Sequence, residues 1–537
     1  MGIWQRDGGD AESRRFRADS RYPTLCLAIL IMIATRVAAA PTPTPTCSCR
    51  PECLEVAGGH TDIEPNGPQV VAESGQRSGS AAFGIDVATL ARYAGPAAAD
   101  AQEPTPTEPI GWYLNTMNVP AAWAVLRWPT VPMEQHDVKI ALLDTGVNAE
   151  HPDLAGRISD RRRNVATSPP STDVSDALGH GTRMAGIIAA IGGNGDGVDG
   201  IMWGVKILPC KMTNQVADGG IEKGIECLKW VSKQFDEGEK IVAVNYSFQS
   251  QVCSCEMERE IRRLRDRGVL LVAAAANEAG RDNDATDKCP AYPASYPLSN
   301  VIAVTAVGAG DLIKTSSSFG KRSVHVAAPS SGERLPVLDK DGGATFMFGS
   351  TSTATAEVTG VLALLKAQDR QRDWRALRNL LLAGGVPMED QADHDQLISG
   401  RKVLAVSDPT TTPPGTGSMS CEKQAVRRRL LPVADKVTPG PDGKVYLRAL
   451  SIDCAAPAPV PVQVIEVIGD TDTPVAGAQP STVDLHDDGV PPDDFKGGGA
   501  HGDGEWAGVW VPPTTPGKHY RLTFWGGNAD ALSVMVP

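Results

Sequence analysis

The stretch that decides the fold is "VKIALLDTGVNAEHPDL" at residues 138–154. Its first part, "VKIALLD", is almost continuously apolar and ends in Asp144. A strand with one face in water alternates apolar and polar residues, whereas a nearly continuous apolar run is typical of a parallel strand covered on both faces. The segment therefore predicts a buried parallel strand with an acidic side chain at its carboxyl end.

The same pattern recurs along the middle of the chain. Further apolar runs are "VKILPCK" (205–211), "KIVAVNYS" (240–247), "GVLLVAAAA" (268–276) and "NVIAVTAV" (300–307). Helical patterns lie between these runs, namely "GTRMAGIIAAI" (181–191), "IEKGIECLKWVSKQF" (221–235) and "EMEREIRRLRDR" (256–267). Strands that alternate with helices in this way predict an α/β fold, in which a mostly parallel sheet lies between layers of helices.

Length and charge restrict the class of protein. The chain has 537 residues, which is too long for one compact core, so we expect one large domain and at least one smaller unit. The formal net charge is −13 at pH 7, and the basic residues form no long stripe. We therefore expect no nucleic-acid partner, because such proteins present clustered positive charge to the phosphates.

The N-terminal region resembles a secretory signal followed by a low-complexity segment. Arginines precede an apolar run at 25–34, and "VAAA" (37–40) offers small residues for cleavage. The run is shorter than the roughly 20 residues that cross a bilayer, so a permanent anchor is the less favoured alternative. We predict a signal peptide at 1–40, and a linker or pro-region at 41–109, which is rich in Ala, Pro and Gly.

The pattern changes again after residue 406. "SDPTTTPPGTGSMS" (407–420) opens a predicted linker over 407–440, in which the basic run at 427–429 is either an exposed face or a processing point. Short alternating strands follow, namely "KVYLRALSID" (444–453), "VPVQVIEVIG" (460–469), "WAGVWVPP" (506–513) and "HYRLTFWGG" (519–527). They predict a small all-β sandwich domain over 441–537.

The cysteines predict disulfides. Removal of the signal segment with Cys26 leaves an even number, namely Cys47, Cys49, Cys53, Cys210, Cys227, Cys253, Cys255, Cys289, Cys421 and Cys454. The two in the C-terminal region, at 421 and 454, are expected to pair, whereas spacing assigns no partners to those at 253, 255 and 289. A zinc site at "CSCRPEC" (47–53) is the alternative, but no second paired-cysteine motif accompanies it.

Polar side chains stand out at four predicted junctions between strands and helices. They are Asp144, His180 in "LGHGTRMAG", Asn277 in "AAAANEAG" and Ser352 in "GSTSTATAEVTG" (349–360). Reactive residues gather at such junctions in sheets of this kind. Each residue has an ordinary alternative role, as a cap, a turn former or a buried core histidine.

Other hydrolase patterns fit the sequence less well. "LLDTG" (142–146) resembles half of an aspartic-protease site, but the sequence contains no second Asp-Thr-Gly or Asp-Ser-Gly. It also contains no Gly-x-Ser-x-Gly elbow of an α/β-hydrolase and no His-Glu-x-x-His zinc motif.

A serine nucleophile would give the polar residues at these junctions a common function. A serine hydroxyl needs a base within hydrogen-bond reach, and that base needs a carboxylate to fix its tautomer. The order Asp144, His180, Ser352 is the chain order of subtilisin. "LDTGVNAEHPDL", "HGTRMAG" and "STSTATAEVTG" resemble the aspartate, histidine and serine motifs of the subtilase family of serine endopeptidases. The resemblance covers about 112–406 and implies a subtilisin-like three-layer αβα fold over 110–406.

The resemblance implies a role for each residue. Ser352 is the expected nucleophile, His180 the general base and Asp144 the group that orients the base. Asn277 and the Ser352 N–H are the expected oxyanion hole, and a helix N-terminus independently favours negative charge at this place.

Substrate contacts are also implied by the resemblance. Ser247, Ala274 and Ala291 are expected to line the specificity pocket, whose small apolar floor would admit medium or large uncharged side chains. Glu278 would tolerate a cationic one. We expect polypeptide substrates, a monomer without a membrane span in its mature form, and a location outside the cell or at its surface.

Several positions depart from the family pattern. Ser350 and Ala276 stand where glycine is usual, Arg183 where a second histidine is common, and Ala356 and Glu357 replace a proline and a histidine. None removes a catalytic group, but the first two carry side chains where the backbone can need glycine's freedom. A catalytically silent binding or adhesion protein with the same fold is therefore the alternative.

The expected chemistry uses no cofactor and no catalytic metal. The resemblance implies structural calcium, for which "GGNGDGVDG" (192–200) and "DLHDDGVPPDD" (484–494) supply oxygen ligands. A solvated turn is the ordinary alternative for each segment.

Overall fold

The computed structural model describes most of the chain from residue 111 onward. The described residues are 111–537 apart from 128–129, 215–220, 279, 286–288, 309–311, 314–316, 331–333, 407–425, 453–459, 489–501 and 526–529. The predicted signal peptide (1–40), the predicted N-terminal region (41–109) and the expected pair of Cys421 and Cys454 lie outside the described residues.

A nine-stranded sheet forms the centre of the larger part of the molecule. Its strands, numbered in chain order, are β1 (Val138–Asp144), β2 (Arg163–Asn164), β3 (Val205–Lys211), β4 (Ile241–Tyr246), β5 (Leu270–Ala274), β6 (Val301–Val307), β7 (Val326–Pro329), β10 (Val386–Pro387) and β11 (Arg401–Lys402). Their order is β10-β11-β7-β6-β5-β4-β1-β3-β2, and every pairing is parallel except that of β10 with β11. The prediction that the five apolar runs form a mostly parallel sheet is confirmed.

The helices are α1 (Trp112–Thr116), α2 (Val119–Val125), α3 (His180–Ala189), α4 (Ile221–Asp236), α5 (Cys255–Asp266), α6 (Thr351–Gln368), α7 (Trp374–Gly384) and α8 (Gln391–His394). Helix α5 illustrates why they form where they do. Ser254 caps its first turn by accepting the N–H of Met257 at 3.3 Å, and Arg263 and Arg265 lie in its last turn. Acceptors at the N-terminus and cations at the C-terminus both complement the helix dipole.

The two faces of the sheet contact different apolar clusters. On β1, Ile140 and Leu142 belong to the cluster that contains α3 and α6 residues, whereas Ala141 and Leu143 belong to the cluster that contains α4 and α5 residues. Successive strand residues point to opposite faces, so helices cover both sides. This is the three-layer αβα arrangement expected from the continuous apolar runs.

A hairpin and a disulfide complete this part of the molecule. Strands β8 (Arg334–Leu338) and β9 (Ala344–Phe348) pair antiparallel immediately before α6. Cys210 on β3 and Cys227 on α4 form a disulfide with a Cα–Cα distance of 5.8 Å. The remaining described cysteines, Cys253, Cys255 and Cys289, are disulfide-bonded as well.

The C-terminal region is a sandwich of two sheets. Its strands are β12 (Val426–Leu431), β13 (Lys436–Val437), β14 (Val445–Ile452), β15 (Val460–Val467), β16 (Ser481–Leu485), β17 (Glu505–Trp510), β18 (His519–Phe524) and β19 (Leu532–Met535). One sheet has the order β12-β14-β17 and the other β13-β19-β18-β15-β16. Leu447, Val462, Trp506 and Phe524 lie in the core between them. The predicted all-β sandwich is confirmed.

The structure corrects the predicted linker at 407–440. Strand β12 lies inside that stretch and pairs antiparallel with β14. The basic run at 427–429 is part of this strand and is not an exposed face as a whole, because Arg427 is exposed but Arg428 is 9% exposed and Arg429 is fully buried. The arginines hide this strand from a reading of local composition, because the carboxylates that pair with them, Asp435 for Arg429 and Asp530 for Arg428, lie outside the strand.

The β12-β14-β17 sheet packs against the larger part of the molecule. Leu430 and Leu450 belong to the same apolar cluster as Leu381 of α7. The sheet is therefore covered on both faces.

None of the helices in the described ranges combines the length and apolar character needed to cross a lipid bilayer.

Candidate active site

The site begins at the carboxyl end of β1. Asp144 is 1% exposed, and its Oδ1 accepts the backbone N–H of Thr145 at 2.7 Å. The same oxygen lies 2.7 Å from Nδ1 of His180, the first residue of α3. A carboxylate only accepts hydrogen bonds, so Nδ1 is the donor and Nε2 of a neutral imidazole carries the lone pair. The pair is thus arranged as an oriented base.

Asp176 holds the start of α3, and the motifs did not identify it. Its Oδ1 accepts hydrogen bonds from Thr145 Oγ1 and Gly179 N, both at 2.8 Å. Its Oδ2 accepts from Thr182 N at 2.8 Å and from Thr182 Oγ1 at 2.7 Å. One carboxylate therefore joins the segment after Asp144 to the helix that carries the histidine. An acidic residue just before a helix start is the capping signal that points to it.

Ser352 lies in the first turn of α6 and is 1% exposed. Its Oγ donates to the carbonyl oxygen of Ser247 at 3.2 Å, and Ser247 Oγ donates to the Ser352 carbonyl at 3.1 Å. The next residue, Phe248, packs edge-on against the His180 ring with centroids 5.8 Å apart. The short segment 247–248 therefore contacts both the serine and the histidine. Hydrogen bonds of catalytic groups often reach their final form only with substrate bound.

Asn277 is tied to the same helix start. Its Oδ1 accepts the N–H of Thr351 at 2.9 Å and the Thr351 hydroxyl at 2.7 Å. With the carbonyl oxygen engaged, the amide Nδ2 is the group of this side chain that can donate to a substrate atom. The side chain is held beside the N-terminus of α6.

The two positions where side chains replace the family's glycine differ in backbone conformation. Ala276 has φ 106°, a region that disfavours residues with a Cβ. Ser350 has the extended φ of −150°, which any residue adopts, and it forms a reciprocal capping box with Thr353. The expected need for glycine is therefore found at the first position and not at the second. The close approach at this turn is made by Gly349, where a Cβ would lie 1.2 Å from the Ser330 carbonyl oxygen.

The expected substrate-contacting residues are all buried. Ser247, Ala274 and Ala291 are 1%, 3% and 1% exposed, and of the three Ser247 directly contacts Ser352. Glu278 forms an ion pair with Arg281 and accepts a hydrogen bond from Gln251 at 3.2 Å. Its charge is thus already compensated, which weakens the expectation that it would accommodate a cationic side chain.

Two carboxylates, Asp153 before the glycine-rich loop at 192–200 and Asp199 within it, form hydrogen bonds that hold this loop. Asp153 accepts hydrogen bonds from Asn194 Nδ2 at 2.8 Å and from Val198 N at 3.0 Å, and Asp199 accepts one from Gly193 N at 2.8 Å. Within the described ranges, no group of three or more His, Cys, Asp and Glu side chains is gathered as a metal site requires. Structural calcium stays a prediction, and the segment at 484–494 is described only in part.

The sequence matches known peptidases over the part of the chain that carries these residues. A profile of the subtilase family matches residues 135–393. The intracellular serine protease of Paenibacillus polymyxa is 30% identical over 254 residues, which is 47% of this chain and 72% of that protein. Thermitase of Thermoactinomyces vulgaris is 31% identical over 261 residues, 47% of this chain and 81% of that protein. Alkaline elastase YaB of Bacillus sp. (strain YaB) is 31% identical over 279 residues, 52% of this chain and 66% of that protein. The chain that contains the Asp144–His180 pair and Ser352 belongs to the subtilase family of serine peptidases.

Proposed function

We propose that the protein is a secreted serine endopeptidase that cleaves peptide bonds through Asp144, His180 and Ser352. The observation that carries the proposal is the buried contact between His180 Nδ1 and Asp144 Oδ1 at 2.7 Å, together with the segment 247–248, which contacts both the His180 ring and Ser352. An imidazole held by a carboxylate, next to a serine at a helix N-terminus, is the arrangement that acyl transfer requires.

The proposed reaction has two acyl-transfer steps. Ser352 Oγ leaves its hydrogen bond to Ser247, attacks the substrate carbonyl and gives its proton to His180 Nε2. His180 then protonates the leaving amine while Asp144 stabilises the imidazolium. A water then attacks the resulting ester while His180 takes its proton, and His180 returns that proton to Ser352 Oγ as the acid product leaves. The chemistry uses no cofactor.

The developing oxyanion is assigned to two donors. One is the Ser352 backbone N–H at the N-terminus of α6, where the helix dipole favours negative charge. The other is Asn277 Nδ2, because Thr351 engages the other end of that amide. Ser247, Ala274 and Ala291 are the proposed walls of the specificity pocket.

Serine-directed labelling tests the proposal. The purified wild-type protein should react with a fluorophosphonate probe and cleave a peptide library, whereas Ser352→Ala should do neither. Ser299→Ala is the matched control, since Ser299 is also fully buried but lies in the loop before β6. A folded wild-type protein without labelling or cleavage would instead indicate a catalytically silent binding or adhesion protein. Cleavage of esters but not peptides would indicate a different acyl hydrolase.

Secretion and monomeric state belong to the same proposal. The sequence pattern at 1–40 supports secretion. Mass spectrometry of protein recovered from the culture medium should find a first residue beyond position 40, and protein retained in the cell with residue 1 intact would contradict secretion. Light scattering on the purified protein should give the mass of one chain.

A further inference from the structure

The helix that carries Ser352 also contains a buried acid that the proposed reaction does not use. Glu357 lies one turn after Thr353 on α6 and is fully buried. Residues four apart project from the same face of a helix, so the Thr353 and Glu357 side chains lie one above the other. Ser330, directly after β7, fills the space between them: its Oγ lies 2.5 Å from Thr353 Oγ1 and 2.8 Å from Glu357 Oε1.

The hydrogen bonds of this chain leave one consistent arrangement of protons. Thr353 Oγ1 lies 2.7 Å from the Ser350 carbonyl oxygen, which only accepts, so the threonine hydroxyl donates there. The same Oγ1 accepts the Ser350 N–H at 2.8 Å. The contact between Thr353 and Ser330 therefore needs the Ser330 proton. With that proton used, Ser330 Oγ can only accept from Glu357.

An acceptor-only carboxylate cannot make that last hydrogen bond. If Glu357 were ionised, the Ser330 hydroxyl would have to donate to Glu357, and the Thr353 hydroxyl would have to donate to Ser330. Two oxygens 2.7 Å apart, at Thr353 and the Ser350 carbonyl, would then face each other without a proton. A protonated Glu357 avoids this conflict, and its Oε2, which has no hydrogen-bond partner in the described structure, is then a neutral carbonyl oxygen.

The surroundings of Glu357 agree with the neutral form. Burial raises the pKa of Glu357 well above its ordinary value. The titratable neighbour from the packed elements is Tyr113 on α1, whose own pKa is raised chiefly by burial and also by the negative charge of Asp199. Neither neighbour supplies a positive charge.

We infer that Glu357 is a protonated positioning residue. It donates a hydrogen bond to Ser330, Ser330 donates to Thr353, and this relay holds the first turn of α6 around Ser352. The inference rests on the proposed function of that turn. The segment between Ser350 and Thr353 contains the proposed nucleophile and its oxyanion-binding N–H. Ser330 is also held against Gly349, so the relay connects the end of β7 to the entry of α6.

Infrared difference spectroscopy tests the proton directly and needs no activity. The spectrum of the wild-type protein at neutral pH, minus that of Glu357→Gln, should contain the C=O stretching band of a buried protonated carboxyl group. A carboxylate band in its place would overturn the inference. The measurement gives the same answer in a Ser352→Ala background, so a failure of the proposed peptidase function would be recognised separately.

Kinetics test the positioning role. Glu357→Gln keeps a donor for Ser330 in its amide N–H, so kcat should stay within about twofold of the wild type. Glu357→Met and Ser330→Ala each break the relay, and each should lower kcat about five- to tenfold with KM unchanged. The double variant should be no worse than either single one, because both remove the same relay.

The matched control is Thr355→Val. Thr355 is fully buried on the same helix, but its hydroxyl donates only to the Thr351 carbonyl at 2.7 Å, outside the relay. Its kcat should be unchanged. Equal kcat values for Glu357→Met and the wild type, or additive losses in the double variant, would overturn the positioning role.

Discussion

At the scale of single residues, Ala276 stores strain beside the proposed oxyanion donor. Its φ of 106° is easily adopted by glycine and costs a residue with a Cβ on the order of 1–2 kcal/mol. The surrounding segment keeps the conformation because β5 ends just before it and Asn277 is anchored to Thr351 immediately after it. The strain is thus held by contacts on both sides.

Ala276→Gly should therefore stabilise the protein. The gain should be about 0.5–1 kcal/mol, since relief of strain exceeds the added freedom of the unfolded chain. Denaturant unfolding measures it. Ala275→Gly is the control, because Ala275 is equally buried and has no positive φ. The free energy of unfolding of Ala275→Gly should be about 1 kcal/mol lower than that of the wild type. A loss of stability in both variants would contradict the strain.

The protonated Glu357 makes a further prediction about pH. Its pKa in the folded state lies well above the ordinary 4.5 because of burial. Between 4.5 and the folded-state pKa the unfolded chain loses this proton and the native protein keeps it, so wild-type stability falls as pH rises. Glu357→Gln removes this dependence. Its stability relative to the wild type should rise above pH 4.5 by up to about 1.4 kcal/mol per pH unit, and a difference that does not change with pH would contradict it.

At the scale of secondary-structure elements, α3 depends on one carboxylate for its position. Asp176 accepts five hydrogen bonds, from Thr145 and from the residues at the start of α3. Asp176→Asn would turn an amide N–H₂ toward these donors. We expect a loss of roughly 2–3 kcal/mol in stability and a ten- to hundredfold lower kcat, because the His180 ring shifts.

The neighbouring acid provides the control for this prediction. Asp173 is exposed, and its carboxylate accepts hydrogen bonds from Ser175, including that of the N–H at 3.0 Å. Asp173→Asn should leave kcat unchanged. Thermal unfolding and peptide kinetics measure both variants. Equal effects of the two substitutions would mean that Asp176 acts through the negative charge it adds to the loop, and not through its hydrogen bonds to the start of α3.

Some of these elements can be predicted from the sequence and others cannot, for physical reasons. Strands β1 and β3–β6 are recognised because burial of both faces requires continuous apolar residues, and Asp144 and Asn277 lie at or just after the ends of two of them. Strand β12 is missed because "VRRRLL" contains arginines whose partners lie outside the strand itself. Arg429, for example, is buried against Asp435 and the Pro432 carbonyl, and burial, together with Arg322, lowers its pKa to about 10.

The same distinction applies to the site. Asp144, His180, Asn277 and Ser352 are recognisable because each lies in a short motif. The Ser330–Glu357 contact joins segments 27 residues apart, and the sequence shows only that Glu357 departs from the family pattern. How this contact arranges the protons at the start of α6 depends on interatomic distances, which the sequence does not contain.

At the scale of the whole molecule, a buried charge cluster joins the C-terminal sandwich to the peptidase fold. Arg378 of α7 and Arg448 of β14 both form ion pairs with Glu505 of β17, and the three side chains are 0%, 4% and 2% exposed. Arg378 also donates to the Asp503 carbonyl oxygen at 2.9 Å. The larger part of the molecule thus keeps a buried cation whose partner is supplied by the sandwich.

Such an interface makes the two parts unfold together. Glu505→Gln keeps the side-chain volume but leaves two buried guanidinium groups without a carboxylate, which should cost about 3–5 kcal/mol. Calorimetry should give one cooperative transition for the wild-type protein, and a lower and split transition for the variant, in which the sandwich unfolds first. Asp470→Asn, which breaks the exposed ion pair with Lys436, should change neither the midpoint nor the number of transitions. Two separate transitions in the wild-type protein would mean that the cluster does not couple the sandwich to the fold that holds the active site.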